Sequence, residues 1–389
     1  MMQFTDALYG TIGIPDRHVD ILNTKALSRL RNIKQLGYTV ARYPGAVHTR
    51  LEHTLGTVSV ARGLIEALDE DKNAAKPTLS KMITAALLSE IGSTPLSFST
   101  RRIFNDIGLS SSVIAKTLLD YELMKFPSVH AWREESQTAG CAFKRWDVLM
   151  SRAPGFCDLD LIRTASMLDY VRRDSHYCGQ LTPSFELDAF LETVNQALYG
   201  GTIDDLIDLL RVLHRSAFSL NKMYADRDRR VLAVLLRRLS EHLIGTGALD
   251  LAIYKRPEYL VELDDDAFMA DLVAAVESLT KNDDMYKLFE HVYNLRESTF
   301  ISLDSLGLSE ATDAARIESE VARKLCISRD LVVAIGWDIV DGNGFRMFGH
   351  EYSCAKEAVR NDLFSLRTGL DSEKISSCAP GYGTVAVIK

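Results

Sequence analysis

Apolar positions recur at helical spacing along most of this chain. Residues 1–20 read as an extended lead-in, because Gly10, Gly13 and Pro15 work against a long helix. Leu22, Ala26, Leu30 and Ile33 then share a face and predict a helix over about 22–36, ended by Gly37. Lys25, Arg29, Arg31 and Lys34 make that helix basic, and solvated charge is the expected role of most of them. Residues 40–48 are irregular. Leu51, Leu55, Val58, Ala61, Leu64, Ile65 and Leu68 predict a helix over about 49–69. Thr78 is placed to cap a helix over about 79–90, whose run from Met82 to Leu88 is apolar nearly all round, as in a central helix. Residues 100–155 read as mixed helix and loop. Further helices are predicted over about 159–175, 185–198, 203–222, 227–244, 265–279 and 284–297.

Strand patterns are scarce before Leu331–Trp337, a short β-branched run, and Thr384–Ile388 is a second. Asp341-Gly342-Asn343-Gly344 between them is a turn signal. No lysine-serine helix start follows these glycines, so they do not make a phosphate loop. The expected fold is mainly α, with a small C-terminal α+β part from about residue 300.

Of the 389 residues, 47% are apolar and 25% charged, enough for a sizeable core and unlike a disordered chain. With 53 acidic against 45 basic residues the net charge is −8, which disfavours nonspecific nucleic-acid binding. The six cysteines (Cys141, Cys157, Cys178, Cys326, Cys354 and Cys378) are scattered without a CxxC pair, so neither a disulfide framework nor a cysteine zinc site is expected. The chain starts without a signal-peptide pattern and has no long apolar run, which leads to the expectation of a cytoplasmic protein with no membrane partner.

Candidate chemistry gathers in two places. Arg50 and His53 lie three positions apart, hence on one face, as a phosphate-and-metal site would require. A helix start with a hydrogen-bonded core histidine is the plainer reading. Ser166, Tyr170 and Asp174 are spaced i, i+4, i+8 and also share a face.

Three segments then stand in a telling order: Asn32-Ile33-Lys34-Gln35-Leu36-Gly37; Tyr43-Pro44-Gly45-Ala46, His48-Thr49-Arg50-Leu51-Glu52-His53-Thr54-Leu55-Gly56; and Leu168-Asp169-Tyr170, Arg173-Asp174. This order resembles the HD-domain phosphohydrolases of the deoxynucleoside triphosphate triphosphohydrolase group, which includes the sterile-alpha-motif HD-domain enzyme. His214–Arg230, followed by Glu262-Leu263-Asp264-Asp265, is similar to the helical second half of that group, so the resemblance spans roughly residues 5–300. It implies an HD-domain helical bundle, with a core over 1–180, its second half over 181–300 and the α+β part over 301–389. It also implies a metal held by a histidine, an adjacent His-Asp pair and a distant aspartate, which activates water and polarises the α-phosphate so that triphosphate is released.

Carried over residue by residue, His53 matches the first histidine, but Ser89 and Glu90 stand for the His-Asp pair and Ser166 for the distant aspartate. In the following loop, Ser93 and Phe98 stand where the family has histidines. The metal-binding motif is therefore expected to be degenerate, with no cofactor. Arg50 matches a phosphate-contacting arginine, and Tyr170 and Asp174 match residues near the sugar. His176 follows closely and is expected to line the same pocket, with His48 near it.

The leading expectation is a catalytically degenerate protein that binds a nucleotide as a regulator, or serves as a homo-oligomer or a subunit of a complex. One alternative is an active phosphohydrolase with a rebuilt site, in which His53 and Glu90, helped by Asp158 or Asp160, hold Mn, Fe, Mg or Zn. Another is a pure protein-interaction scaffold.

Overall fold

The lead-in is a hairpin followed by a short helix. Strand β1 (Met2–Asp6) pairs antiparallel with β2 (Gly10–Ile14), from Met2↔Ile14 to Asp6↔Gly10, and Gly10 supplies the positive φ of the turn. Helix α1 (Asp16–Leu22) follows Pro15. The computed structural model describes residues 1–68, 75–135, 146–147, 149, 152, 160–180, 186–224, 226–277, 279–281, 283–296, 298–302, 314–336, 344–347, 350–353 and 382–388.

The single helix expected over 22–36 is not formed. Thr24 caps a short α2 (Lys25–Ser28), a 3-10 turn covers Arg29–Asn32, and the chain then extends. The backbone of 33–35 is taken by the segment before the next helix. Lys34 bridges Thr49, Gln35 N donates to His48 O at 2.9 Å, and Arg50 N donates to Ile33 O at 2.8 Å. Arg29 is not solvated. It is buried and donates to the carbonyls of Leu263 (2.9 Å), Ile91 (2.5 Å) and Ser93 (3.0 Å), clasping two later loops.

The body is built on α3 (Arg50–Leu68), α4 (Ala75–Leu88) and, after the shorter helices α5 (Arg101–Asp106), α6 (Ser111–Leu118) and α7 (Pro127–Glu135), on α8 (Leu161–Tyr177). α3 packs against both α4 and α8 and is buried nearly all round. Its Thr54 and Thr57 hydroxyls donate to the carbonyls of Arg50 and His53 one turn back, which leaves them satisfied inside the core. α4 begins at Ala75, earlier than the expected cap at Thr78. Then come α9 (Leu187–Tyr199), α10 (Ile203–Ser219), α11 (Asn221–Tyr224), α12 (Arg227–Gly245), α13 (Pro257–Leu260), α14 (Asp265–Val276) and α15 (Asp284–Tyr293). α15 stops short of the expected 297 because Leu295 turns left-handed (φ 51°).

The tail carries β3 (Thr299–Ser302), α16 (Ala314–Leu325), β4 (Val332–Gly336), a β5 (Gly344–Met347) and β6 (His350–Ser353) hairpin, and β7 (Tyr382–Val387). β7 lies between β3 and β4, antiparallel to both. Trp337 and Asp341–Asn343 of the expected strand and turn lie outside the described residues, while Gly344 opens β5. The fold is thus mainly α with a small C-terminal α+β part. Among the described residues no helix is long and apolar enough to cross a membrane.

Candidate functional site

The site lies where α3 begins, where α4 ends and along the inner face of α8. α3 starts with a reciprocal cap: Thr49 N donates to Glu52 Oε2 at 2.7 Å, and Glu52 N donates to Thr49 Oγ1 at 3.3 Å. That cap sets Arg50 in the first turn and His53 one turn later, both buried. α8 is started by Asp160, whose carboxylate accepts from Arg163 N at 2.7 Å.

His53 is held at both nitrogens. Nδ1 is 2.6 Å from Asp169 Oδ2, and Nε2 is 3.2 Å from Ser166 Oγ and 3.6 Å from Glu90 Oε1. Asp169 in turn accepts from Arg173 Nε and Nη2, both at 3.0 Å, and Arg173 Nη1 reaches Asp6 Oδ2 at 2.9 Å. Burial opposes ionisation of Asp169, but the hydrogen bond from His53 and the charge of Arg173 outweigh it, and its carboxyl titrates below the ordinary range. An ionised Asp169 can only accept, so His53 donates to it from Nδ1. Burial lowers the Arg173 guanidinium, yet Asp169 and Asp6 raise it above its ordinary value.

A second group surrounds Phe98. Arg50 Nη1 pairs with Glu90 Oε2 at 2.8 Å and its Nε donates to Ser97 Oγ at 2.9 Å, while Ser93 Oγ donates to Glu90 Oε2 at 2.9 Å. Burial raises the Glu90 carboxyl, but Arg50, His53, Ser93 and Arg101 together hold it below its usual value. The guanidinium carbons of Arg50, Arg101 and Arg229 lie 5.2, 4.6 and 6.0 Å from the Phe98 ring centroid.

A third group sits beside these. His48 Nε2 meets Asp174 Oδ1 at 2.8 Å, and Tyr224 donates its hydroxyl to Asp174 Oδ2. The His48 ring stacks on Tyr177 at 4.6 Å, and Tyr177 donates to Glu52 Oε1 at 3.0 Å. Asp174 is therefore tied to a histidine and a tyrosine rather than to an arginine.

Of the residues singled out in sequence, Arg50, His53, Glu90 and Ser166 come together, and Asp174 and His48 pair next to them. Tyr170 is half-buried against the apolar cluster around α8. His176 is exposed and edge-on to Tyr177, outside this cluster. Ser89 is exposed, and its hydroxyl donates to Ala86 O at 2.8 Å. Asp160 serves as a helix cap, and Asp158 lies outside the described residues. Sequence reasoning named Asp169 and Arg173 in the third segment without giving them a role, and it missed Asp6, Tyr224, Arg101 and Arg229. The i, i+4 spacing of Asp169 and Arg173 was an available signal for their pairing; the others come from distant segments and had none.

The side chains present fit a divalent ion poorly. His53 is the single imidazole at this point, Glu90 already carries a guanidinium and a hydroxyl, and Ser89 and Ser166 offer neutral oxygens committed elsewhere. Among the described residues no three His, Cys, Asp or Glu side chains converge as metal ligands do.

No protein-family model matches the chain. It is 35% identical over 100 residues to the deoxynucleoside triphosphate triphosphohydrolase SAMHD1 of Xenopus laevis, covering 25% of this chain and 16% of that protein. It is 24% identical over 200 residues to the uncharacterized protein YwfO of Bacillus subtilis, covering 49% of this chain and 43% of that one. The chain thus matches less than half the length of these curated relatives. In solved structures, a phosphohydrolase from Bacteroides thetaiotaomicron aligns over 100% of this chain and 99% of its own, with a TM-score of 0.61 at 17% identity, a likeness of fold. The chain is thus similar over part of its length to the SAMHD1 triphosphohydrolases and shares its fold with a solved phosphohydrolase.

Proposed function

We propose that this chain is a catalytically degenerate HD-domain protein that binds a nucleotide without hydrolysing it, as a regulator or as a subunit of a complex. The observation that carries this reading is the pairing of Arg50 with Glu90, 2.8 Å apart, beside His53. A metal-dependent phosphohydrolase needs an ion at such a place to activate water and to polarise the phosphate. Here a fixed cation already neutralises the nearby carboxylate, and the neutral Ser166 stands where the family pattern calls for an aspartate. His53 is fully used in orienting Asp169 and Ser166. The resemblance, which matches Arg50 to a phosphate-contacting arginine and Tyr170 and Asp174 to residues near the sugar, supports a phosphorylated nucleoside as the ligand.

The test is a triphosphate-release assay on purified protein with each deoxynucleoside triphosphate, in added Mn, Fe, Mg or Zn, alongside metal analysis and equilibrium binding. Nucleotide binding without turnover is expected. Stoichiometric metal with turnover that disappears in His53→Ala would overturn the reading in favour of a rebuilt hydrolase. Absence of binding by any nucleotide would leave the scaffold reading.

A further inference from the structure

We infer that Arg101, Arg229 and Arg50, gathered around Phe98, form an oligophosphate-binding site that works without a divalent cation. This deepens the nucleotide-binding reading above and rests on it. The three arginines come from separate elements: the start of α5, the first turn of α12 and the first turn of α3. They converge within 6.0 Å of one ring. A single aromatic face attracts cations modestly and does nothing to offset their mutual repulsion.

Among the described residues, the carboxylates of Glu90 and Asp226 stand against these three guanidiniums. Glu90 is tied to Arg50; Asp226 caps α12 by accepting from the Arg229 backbone N at 3.2 Å, and the Arg229 guanidinium donates from Nη1 to the Tyr224 carbonyl. Arg101 is half-buried, lies 4.6 Å from the Phe98 ring centroid and feels the Glu90 carboxylate that Arg50 already holds. Burial and the neighbouring Arg50 depress the Arg101 guanidinium, against the opposing pull of Glu90. Burial likewise brings Arg229 down to about 10, and Arg101 and Arg230 add to that effect while Tyr224 and Asp226 oppose it. Desolvated like charges raise the energy of the free protein, and an anion placed among them relieves it.

The anion best matched is a chain of phosphates. A guanidinium offers a planar fork of donors that fits two phosphate oxygens at once. The Arg101 fork can grip one phosphate while the charges of Arg50 and Arg229, whose own donors are engaged within the fold, attract the next, which one carboxylate could not engage together. The same guanidiniums supply the neutralisation that a metal ion gives to bound triphosphate elsewhere, and they repel such an ion.

The test uses inorganic triphosphate as the probe, titrated calorimetrically into the full chain in EDTA. Binding is expected, with affinity falling by about tenfold or more in Arg101→Ala. Arg102→Ala removes the same charge from the exposed neighbouring residue and is expected to leave affinity unchanged. If Arg101→Ala does not fold, Arg101→Lys, which keeps the charge but loses the fork, carries the same comparison. Binding that requires a divalent cation, or equal losses in the Arg101 and Arg102 variants, would overturn the site. Metal-dependent turnover of a nucleotide would defeat the non-catalytic reading instead and would leave the EDTA result to decide this one.

Discussion

Asp169 is where the site and the core become one object. Its carboxylate has 0% side-chain exposure, as does the Arg173 side chain that holds it, and it receives His53 as well. A buried charge that loses its partner typically costs about 3–5 kcal/mol. Asp169→Asn removes the charge but keeps the shape, so urea unfolding at neutral pH is expected to show a loss of that order; a loss under about 1 kcal/mol would mean that the triad contributes little. Asp265 behaves in the opposite sense. It is 2% exposed and accepts from Leu96 N (2.5 Å) and Lys34 N (3.0 Å), pinning the loop before Phe98 to the extended segment before α3. Burial outweighs those donors and raises its carboxyl from 3.8 to about 6. Between about pH 4 and pH 6 the folded chain therefore binds more protons at Asp265 than the unfolded chain. Its contribution to stability is present below that window and is lost as pH rises through it, by an amount on the order of 3 kcal/mol. Asp265→Asn is expected to flatten this limb of the stability–pH curve; a limb unchanged in the variant would assign it to other groups.

At the level of elements, the contact between α3 and α8 depends on one glycine. A Cβ at Gly56 would stand 1.9 Å from Asp169 Oδ1 and 2.4 Å from Arg173 Nη2. Gly56→Ala gains helix propensity of up to about 1 kcal/mol, yet must push the helices apart or break the pair, so a net loss of several kcal/mol is expected. Gly245, at the end of α12, has nothing within 4 Å of its Cβ position, and Gly245→Ala is expected to be neutral or stabilising by under about 1 kcal/mol. Thermal unfolding of the two variants side by side checks the contrast. Helices with one unbroken apolar face, such as α3, α8 and α12, were legible in the sequence to within a few residues. The 22–36 segment was not, because its helical spacing is overridden by backbone pairing with 48–50, a contact that no local pattern announces. The lead-in hairpin was hidden for a similar reason: β1 alternates half-buried and exposed positions and carries little apolar signal. For the site, the spacing of Arg50 and His53 pointed to a shared face. The arginines at 101 and 229 did not stand out, since their meeting at Phe98 is set by the turn through Leu96 and Ser97, both at φ 51°. That turn needs Gly37, where a Cβ would lie 2.2 Å from Leu96 O.

Across the whole molecule, the tail is joined to the body by a sheet that faces two ways. Leu331, Val333, Ala386 and Ile388 pack into the main core, while Val332 and Val387 pack with Ile317, Val321 and Ala322 of α16. The period-2 alternation of a strand thus places one face of β4 and β7 on the body and the other under α16. Arg238 of α12 locks that arrangement. It donates to the carbonyls of Asp330 (3.0 Å) and Val332 (2.6 Å) and pairs with Glu318 at 2.6 Å, whose side chain is 8% exposed and also lies 3.5 Å from Arg329. Hydrogen bonds to a charged group contribute about 1.5–3 kcal/mol each, and those aimed at strand-edge carbonyls act on the tail rather than on the body. Arg238→Ala is therefore expected to raise amide exchange across β3, β4 and β7 while leaving α3 and α8 protected, because neither of those helices touches the lock. If protection falls equally in both regions, the tail and body unfold as one cooperative unit, and the sheet belongs to the same folding core as the site. Protection unchanged in the tail would mean that the apolar face of β4 and β7 holds it without Arg238.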